Sequence, residues 1–283
     1  MDKLLNWSLA QQDPETAKKV GAPDPKLLAE LFGQNVDDAT LMKQNIELIE
    51  NPECDEDNKL TAFDNFEMLI ENLDNANNIE NLKLWPKLIN LLDSENDEFK
   101  NLTSSIIGTS VQNNEKSQTD FLKYPQGFTK LISLAKSNKV VRIKALYALS
   151  NLIRNNEQSY ELFDQHKGWE LLGPIITDKE AKDKVKLRSL SLLGAILSIA
   201  PKDDIKKHIH EYSIIEKILS LIKPGANISV VDKSLNLIVH LINGGYEFND
   251  DEVKQVKESV EIIEKDFHDV INIDDFQVLK QIV

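Results

Sequence analysis

The sequence predicts an all-α protein that forms a right-handed solenoid of stacked helical repeats, on the basis of three observations. Apolar residues recur at helical spacing over 141–153, where they give a wide apolar face. The pair Asn113-Asn114, which ends one such stretch, returns as Asn155-Asn156 after 42 residues (155 − 113 = 42). Glycine and proline are few, as expected for helices joined by short turns. A period in the forties, with a long helix and a second apolar segment in each unit, is typical of an armadillo or HEAT solenoid.

In chain order, the sequence predicts a flexible N-terminal segment over 1–22 and a repeat domain over 23–283. A first cap over 23–58 has helices at 26–32 and 40–50, because Asp24-Pro25 is a helix start and Asn51-Pro52 a stop. The five repeats that follow span about 59–92, 97–135, 140–176, 182–222 and 227–263. The last repeat turns polar, as the exposed end of a stack requires, and a second cap covers 264–283.

Charge and cysteine content narrow the class of protein. The net charge of −14, with no basic stripe interleaved with aromatic residues, argues against nucleic acid as a partner. Cys54 is the only cysteine, so no internal disulfide forms. The N-terminus does not resemble a signal peptide and no stretch approaches transmembrane length. We therefore expect a cytosolic chain that is monomeric when free and not membrane-bound, with nuclear access left open.

The sequence offers no constellation for catalysis, and we expect a non-enzymatic protein without a cofactor. His208 and His210 are two residues apart, so they diverge on a helix, and no third ligand accompanies them to make a metal site. Gly244-Gly245 has no following Lys-Ser or Lys-Thr to make a phosphate-binding loop. The many carboxylates fall in hydrophilic turns, where nothing would raise a pKa for acid catalysis.

A polar row on the long helices is the candidate binding site. Lys144, Tyr147, Asn151 and Arg154 follow steps of three and four residues, so they form one narrow line on the helix. We call this line, with its counterparts in the other repeats, the stripe. The repeat offsets give three further rows: Thr61, Asp64, Met68 and Glu71; Leu102, Ser105, Thr109 and Gln112; and Arg188, Ser191, Ala195 and Ser198.

Such rows line the inner, concave wall of helical solenoids, where partners bind, although a merely solvated helix face would show the same pattern. Small residues predict a smooth wall with few long side chains, and they are Ser105, Ser191, Ala195 and Ser198. Arg154 and Arg188 then stand out on an acidic protein, and arginine is enriched at interface anchors.

The N-terminal segment displays Leu4, Leu5 and Trp7 without a place in the repeat pattern. It is either a frayed terminus or a short binding motif, since tryptophan is a costly residue to leave exposed.

Several stretches resemble one family across nearly the whole chain. The most distinctive are 62–82, Ser105-Ile106-Ile107-Gly108-Thr109, and Tyr147-Ala148-Leu149-Ser150-Asn151-Leu152-Ile153-Arg154, together with the start Lys3-Leu4-Leu5 followed by Trp7-Ser8. They resemble the armadillo-type nucleotide-exchange factors of heat-shock protein 70, which include a fungal cytosolic exchange factor and the animal heat-shock-70-binding protein. The resemblance implies an armadillo solenoid with N- and C-terminal capping helices.

The resemblance also implies a function and a set of contacts. The concave face would bind one lobe of the chaperone's ATPase domain and distort it, so that ADP leaves and ATP rebinds. The contact surface would include the position of Ala76, at the end of the first repeat's inner helix, and that of Arg188. The N-terminal segment, with Leu4, Leu5 and Trp7, would help to free substrate from the chaperone.

The alternative from another class is a general peptide-binding scaffold that uses Tyr147 and Asn151 as ladder residues. The Tyr-Asn pair occurs in only one repeat, whereas a ladder needs several. The concave-face residues predicted to bind the partner are Glu71, Ala76, Thr109, Gln112, Lys144, Tyr147, Asn151, Arg154 and Arg188.

Overall fold

The computed structural model describes residues 37–137 and 140–283, and within these ranges every regular element is a helix. The first eight α-helices are α1 (Asp38–Glu50), α2 (Glu56–Ile70), α3 (Leu73–Asn81), α4 (Trp85–Leu91), α5 (Asp97–Ser110), α6 (Glu115–Leu122), α7 (Pro125–Lys136) and α8 (Val141–Ile153). The remaining ones are α9 (Glu157–Gln165), α10 (Leu172–Thr177), α11 (Asp183–Leu197), α12 (Lys202–Glu211), α13 (Ile214–Leu219), α14 (Ile228–Asn243), α15 (Asp250–Asp266) and α16 (Ile273–Leu279). Short 3-10 turns precede α10 and follow α16. No helix of the described residues is long and apolar enough to cross a membrane.

The helices form two layers that follow the chain. The long helices α2, α5, α8, α11 and α14 pack side by side in sequence order, and we call them the long-helix layer. α1 packs on α2 at one end of this layer, and α16 packs on α14 at the other. Two shorter helices separate each long helix from the next, and pairs such as α3 with α6 and α10 with α13 make the second, outer layer. The second apolar segment predicted for each repeat is therefore two short helices.

The repeated Asn-Asn pair has a specific role at the corner after a long helix. Asn113 and Asn155 both adopt positive φ, at 50° and 57°, a conformation that asparagine tolerates better than most residues. The next residue of each pair caps a short helix: Asn114 accepts from the Ser117 amide, and Asn156 does the same one repeat later. The motif therefore sets the direction in which α6 and α9 leave the long-helix layer.

A continuous apolar core lies between the two layers. Its largest side chains are fully buried aromatics, and Trp85 packs edge-on against Phe121 with ring centroids 5.2 Å apart. Burying one side chain of this size contributes about 2–3 kcal/mol to the stability of the fold. Neighbouring repeats share these contacts. Each unit therefore depends on the next for its core, as in other solenoids.

The ends of the chain compare with the predicted caps as follows. The helix predicted over 40–50 is α1, which begins two residues earlier because Asp37 caps it through the Thr40 amide. The helix predicted over 26–32 lies outside the described residues, as does the whole segment 1–22. The predicted cap over 264–283 holds the last turn of α15 and all of α16. The division into five repeats and two caps stays a prediction.

Candidate functional site

The stripe of α8 lies on the long-helix layer, and its four residues differ in exposure. Lys144, Tyr147 and Arg154 are partly exposed, whereas Asn151 is only 8% exposed. The Asn151 amide nitrogen donates to the Gly108 carbonyl of α5 at 3.1 Å. Asn151 therefore joins two adjacent long helices, and little of its side chain remains accessible to a partner.

Tyr147 is the centre of the stripe. Its ring lies against Gly108, where a Cβ would come within 2.5 Å of the ring, so only glycine leaves room for it. The Tyr147 hydroxyl donates to Gln112 at 2.9 Å, and the Arg188 guanidinium lies 4.9 Å from the ring centroid. A guanidinium over an aromatic ring gains about 0.5–2 kcal/mol and loses side-chain freedom. The Tyr147 ring is therefore a platform that orients Arg188.

A polar relay connects three long helices at the same level. The Lys144 ammonium donates to the Ser105 hydroxyl at 2.8 Å, and this hydroxyl donates in turn to the Glu67 carboxylate of α2. The Thr109 hydroxyl donates to the same carboxylate oxygen at 3.3 Å. Hydrogen bonds in such a chain strengthen one another, so the relay fixes the spacing of α2, α5 and α8. Sequence reasoning did not single out Glu67, because it lies off the stripe by one residue.

The end of α8 is held by a buried glutamine. Gln118 of α6 donates from its side-chain amide to the carbonyls of Asn151 and Arg154, at 2.7 and 3.1 Å. These are carbonyls of the last helical turn, which have no partner within the helix. Gln118 thus positions Arg154 at the edge of the stripe.

The stripe continues onto α14, which sequence reasoning missed. The imidazole Nε2 of His240 lies 3.2 Å from the Leu197 carbonyl of α11, a spacing of 43 residues. Asn151 and Gly108 make a similar contact with the same spacing, but Leu197 lies three residues beyond Gly194, which stands two repeats after Gly108, so the contact on α14 is shifted by about one helical turn. Lys233, seven residues before His240, lies on the same side of α14, and we include it in the stripe. The offset of 44 residues that relates Lys144 to Arg188 leads from Arg188 to Asp232, so spacing along the sequence misses Lys233 by one residue.

Lys233 lies in an electropositive environment. Burial lowers the pKa of its ammonium, and the nearby Arg154 guanidinium lowers the pKa further, while Asp232 opposes both effects. Its ammonium also lies beside Gly194 of α11. Charge is therefore distributed unevenly along the stripe. The α2 end carries Glu67 and the exposed Asp64 and Glu71, and the α8–α14 end carries the cations.

The structure corrects two of the predicted features. Ala76 does not lie at the end of the first repeat's inner helix: α2 ends at Ile70, Asn72 caps a new helix, and Ala76 belongs to α3. With 3% exposure it is a core residue, so it offers no surface for close approach. The smooth wall of small residues is also wrong in part, since Ser105 and Ala195 are buried between the long helices.

The other predicted residues fall into three groups. Glu71 and Gln112 are exposed at the ends of α2 and α5, while Thr109 and Arg188 are partly exposed within the stripe. Leu4, Leu5 and Trp7 lie outside the described residues. Within 37–137 and 140–283, no group of three or more His, Cys, Asp or Glu side chains is arranged to hold a metal ion.

Comparison with known proteins identifies relatives along the whole chain. Residues 1–79 match the family model described as nucleotide exchange factor Fes1, and residues 75–218 match the SIL1/FES1/HPBP1 C-terminal domain. A protein named Hsp70 nucleotide exchange factor FES1 from Eremothecium gossypii is 44% identical over 100% of both chains. The protein of the same name from Saccharomyces cerevisiae is also 44% identical, again over 100% of each chain.

Solved structures with the same fold are armadillo repeat proteins. A designed armadillo repeat protein in complex with the peptide (KR)4 matches with a TM-score of 0.69 at 13% identity, and covers 85% of this chain and 98% of its own. An engineered protein matches with a TM-score of 0.70 at 16% identity, over 85% of this chain and 98% of its own. These similarities show the fold, an armadillo-type helical solenoid.

Proposed function

The chain belongs to the Fes1/SIL1/HPBP1 family of nucleotide exchange factors, and on this premise we propose that it accelerates ADP release from a heat-shock protein 70 chaperone. It acts as a co-chaperone that remodels its partner, without a chemical step or a cofactor of its own. We also propose that the protein acts in the cytosol, as the sequence predicts, and that it is monomeric when free.

We propose that the stripe is the surface that binds the ATPase domain of the chaperone. The observation that carries this proposal is the Tyr147 platform, which holds Arg188 in one orientation on the long-helix layer. A pre-oriented arginine loses less side-chain entropy on binding than a free one. The relay from Lys144 to Glu67 fixes the neighbouring helices, so the surface is rigid before the partner arrives.

A rigid surface suits nucleotide exchange for a physical reason. An exchange factor binds the open state of its partner more tightly than the nucleotide-bound state, and it shifts the population by this difference in affinity. A flexible solenoid would adapt to both states of the partner and bind them with similar affinity, so it would not shift the population. The fixed spacing of α2, α5 and α8 therefore supports a role in distorting the bound lobe.

The peptide-scaffold alternative is less well supported. An asparagine ladder needs free amides along the long helices, but Asn151 is buried and donates to Gly108. Its counterparts on the neighbouring long helices α5 and α11 are Thr109 and Ala195, and neither carries a side-chain amide.

The function is tested by measuring the release of fluorescent ADP from a cytosolic heat-shock protein 70 in stopped flow. We expect the dissociation rate to rise at least tenfold when this protein is added. An unchanged rate, with a folded and monomeric protein, would refute the proposed function.

We also propose that residues 1–22, with Leu4, Leu5 and Trp7, contact the substrate-binding domain of the chaperone and compete with rebinding substrate. Deleting 1–22 should then slow the release of a bound peptide and leave ADP release unchanged. Equal peptide release by the truncated and complete chains would show that the segment has no such role.

A further inference from the structure

Only some cations of the described residues form ion pairs. Lys87 pairs with Glu50, Lys123 with Glu80 at 3.0 Å and Lys130 with Asp93 at 2.6 Å, whereas exposed lysines such as Lys254 and Lys257 have no such pair. Within the described ranges, the four stripe cations have no carboxylate inside ion-pair distance. These four are Lys144, Arg154, Arg188 and Lys233.

The four stripe cations lie on one layer of an acidic protein. With a net charge of −14, carboxylates are plentiful near most surface positions. The one beside Lys233, that of Asp232, is used elsewhere, since it accepts from the backbone amide of Asn272 at the start of α16. Arg154 and Lys233 repel each other, and the attraction of Asp232 offsets this only in part, since the pKa of Lys233 stays lowered. Unfavourable charge clusters of this kind concentrate at functional sites.

We propose that the cationic end of the stripe, extended to the last long helix by Lys233, binds a cluster of carboxylates on the ATPase domain of the chaperone. This inference rests on the proposed function and specifies the chemistry of the partner surface. Carboxylates placed near Arg154, Arg188 and Lys233 would remove the repulsion between Arg154 and Lys233, so the charges favour the complex over the free protein.

The acidic end of the stripe explains why the partner is a protein surface of mixed charge. Asp64, Glu67 and Glu71 lie at the α2 end of the same layer, where they would repel a polyanion such as nucleic acid. A partner surface with carboxylates at one end and neutral or basic groups at the other would complement both the cationic and the acidic end of the stripe. The two ends together fix the direction in which the partner docks, because the reversed orientation places like charges opposite each other.

The test replaces Lys233 by glutamine and compares it with a matched control. Lys257 is exposed on α15, away from the stripe, so Lys257→Gln changes the net charge by the same amount. We measure affinity for the isolated ATPase domain of a heat-shock protein 70 by calorimetry, at a series of salt concentrations. Lys233→Gln should weaken binding about fivefold at low salt and flatten its salt dependence, while Lys257→Gln changes neither.

The fold of the variant is checked by its melting temperature, which we expect to stay within about 2 °C of wild type or to rise, since the repulsion with Arg154 is removed. If Lys233→Gln melts lower, Lys233→Met keeps the aliphatic stem in place and gives the binding comparison instead.

Three outcomes would overturn the inference. The first is that Lys233→Gln binds the ATPase domain as tightly as the wild type does. This result would leave the proposed function intact. The second is an equal loss in both variants, which would indicate an effect of net charge alone. The third is binding of a single-stranded RNA oligonucleotide by the wild type that is lost in Lys233→Gln, which would assign the cluster to nucleic acid. Failure of the wild type to bind the ATPase domain would instead contradict the proposed function itself, and the inference with it.

Discussion

Replacing Gly108 by alanine tests the Tyr147 platform directly. The new methyl carbon would lie 2.5 and 2.6 Å from two carbons of the Tyr147 ring, and 3.2 Å from the Ala148 Cα. Atoms so close must separate, and the ring is the group that gives way. Its displacement would move the hydroxyl away from Gln112 and the ring face away from Arg188.

The change in the free energy of unfolding caused by Gly108→Ala is the sum of two opposing effects. Overpacking a well-filled site costs about 1–3 kcal/mol, whereas alanine in a helix interior is favoured over glycine by about 1 kcal/mol. We expect a net loss of up to about 2 kcal/mol, which lowers the melting temperature by up to about 6 °C in a protein of this size.

The repeat supplies a matched control for Gly108→Ala. Gly194 holds the equivalent position on α11, two repeats later, and an added Cβ there would lie 3.3 Å from a terminal methyl of Leu237. That methyl can move by a few tenths of an ångström, so Gly194→Ala should keep the helix gain of up to about 1 kcal/mol and melt slightly higher. Thermal unfolding followed by circular dichroism compares the two variants.

A double mutant isolates the contact with the ring. In a Tyr147→Ala background the clash is absent, so Gly108→Ala should become neutral or stabilising. If Gly108→Ala raises the melting temperature as much as Gly194→Ala does, or costs the same with and without Tyr147, the ring does not pack on Gly108 as described.

Three further predictions concern single residues. Arg188→Ala should weaken binding to the chaperone by about 2 kcal/mol or more in calorimetry and leave the melting temperature within 2 °C, and unchanged affinity would remove Arg188 from the site. Ala76→Arg should unfold the first repeat, because it places an unpaired charge in the core, and a native circular dichroism melt would contradict the burial of Ala76. Asp120 is partly buried, which alone would raise its pKa, but hydrogen bonds and ion pairs with Lys116 and Lys123 hold it below 3.8. Its stabilising effect is therefore present above pH 3.8 and is lost as the pH falls through the lowered pKa, so the deficit in melting temperature of Asp120→Asn should shrink below pH 3.8, and a constant deficit would refute this assignment.

The sequence predicts the fold well because the features that set it are local. The pair Asn113-Asn114 recurs in the sequence as Asn155-Asn156 because both pairs have the same role. Each supplies one residue with positive φ and one helix cap at the corner that follows a long helix. The helical spacing of apolar residues shows which face of each helix is buried, and packing these faces together produces the two layers.

The errors at the candidate site arise where a local signal was overridden or overlooked. The family resemblance implies an inner-helix position for Ala76, although Asn72 is a strong N-cap residue and its side chain starts α3. Ser105 and Ala195 are small because neighbouring long helices approach closely there, and spacing along one helix does not show which neighbour covers a residue.

Lys233 and the relay through Glu67 illustrate what spacing alone misses. The offset between repeats grows along the chain, so spacing alone does not assign the row on α14, where the contact of His240 with Leu197 identifies the side of the helix that faces α11. The position of Glu67 beside Ser105 depends on how α2 packs on α5, which is a tertiary contact.

The central claim is that this protein acts on heat-shock protein 70 through the stripe, and lysine labelling tests it most directly. An amine-reactive acetylating reagent is applied with and without the chaperone's ATPase domain, and the labelling rate of each lysine is read by mass spectrometry. We predict that binding slows the labelling of Lys144 and Lys233 several-fold, while Lys254 and Lys257, exposed on α15, are labelled at unchanged rates. Unchanged labelling of Lys144 and Lys233 under conditions where ADP release is accelerated would contradict the claim.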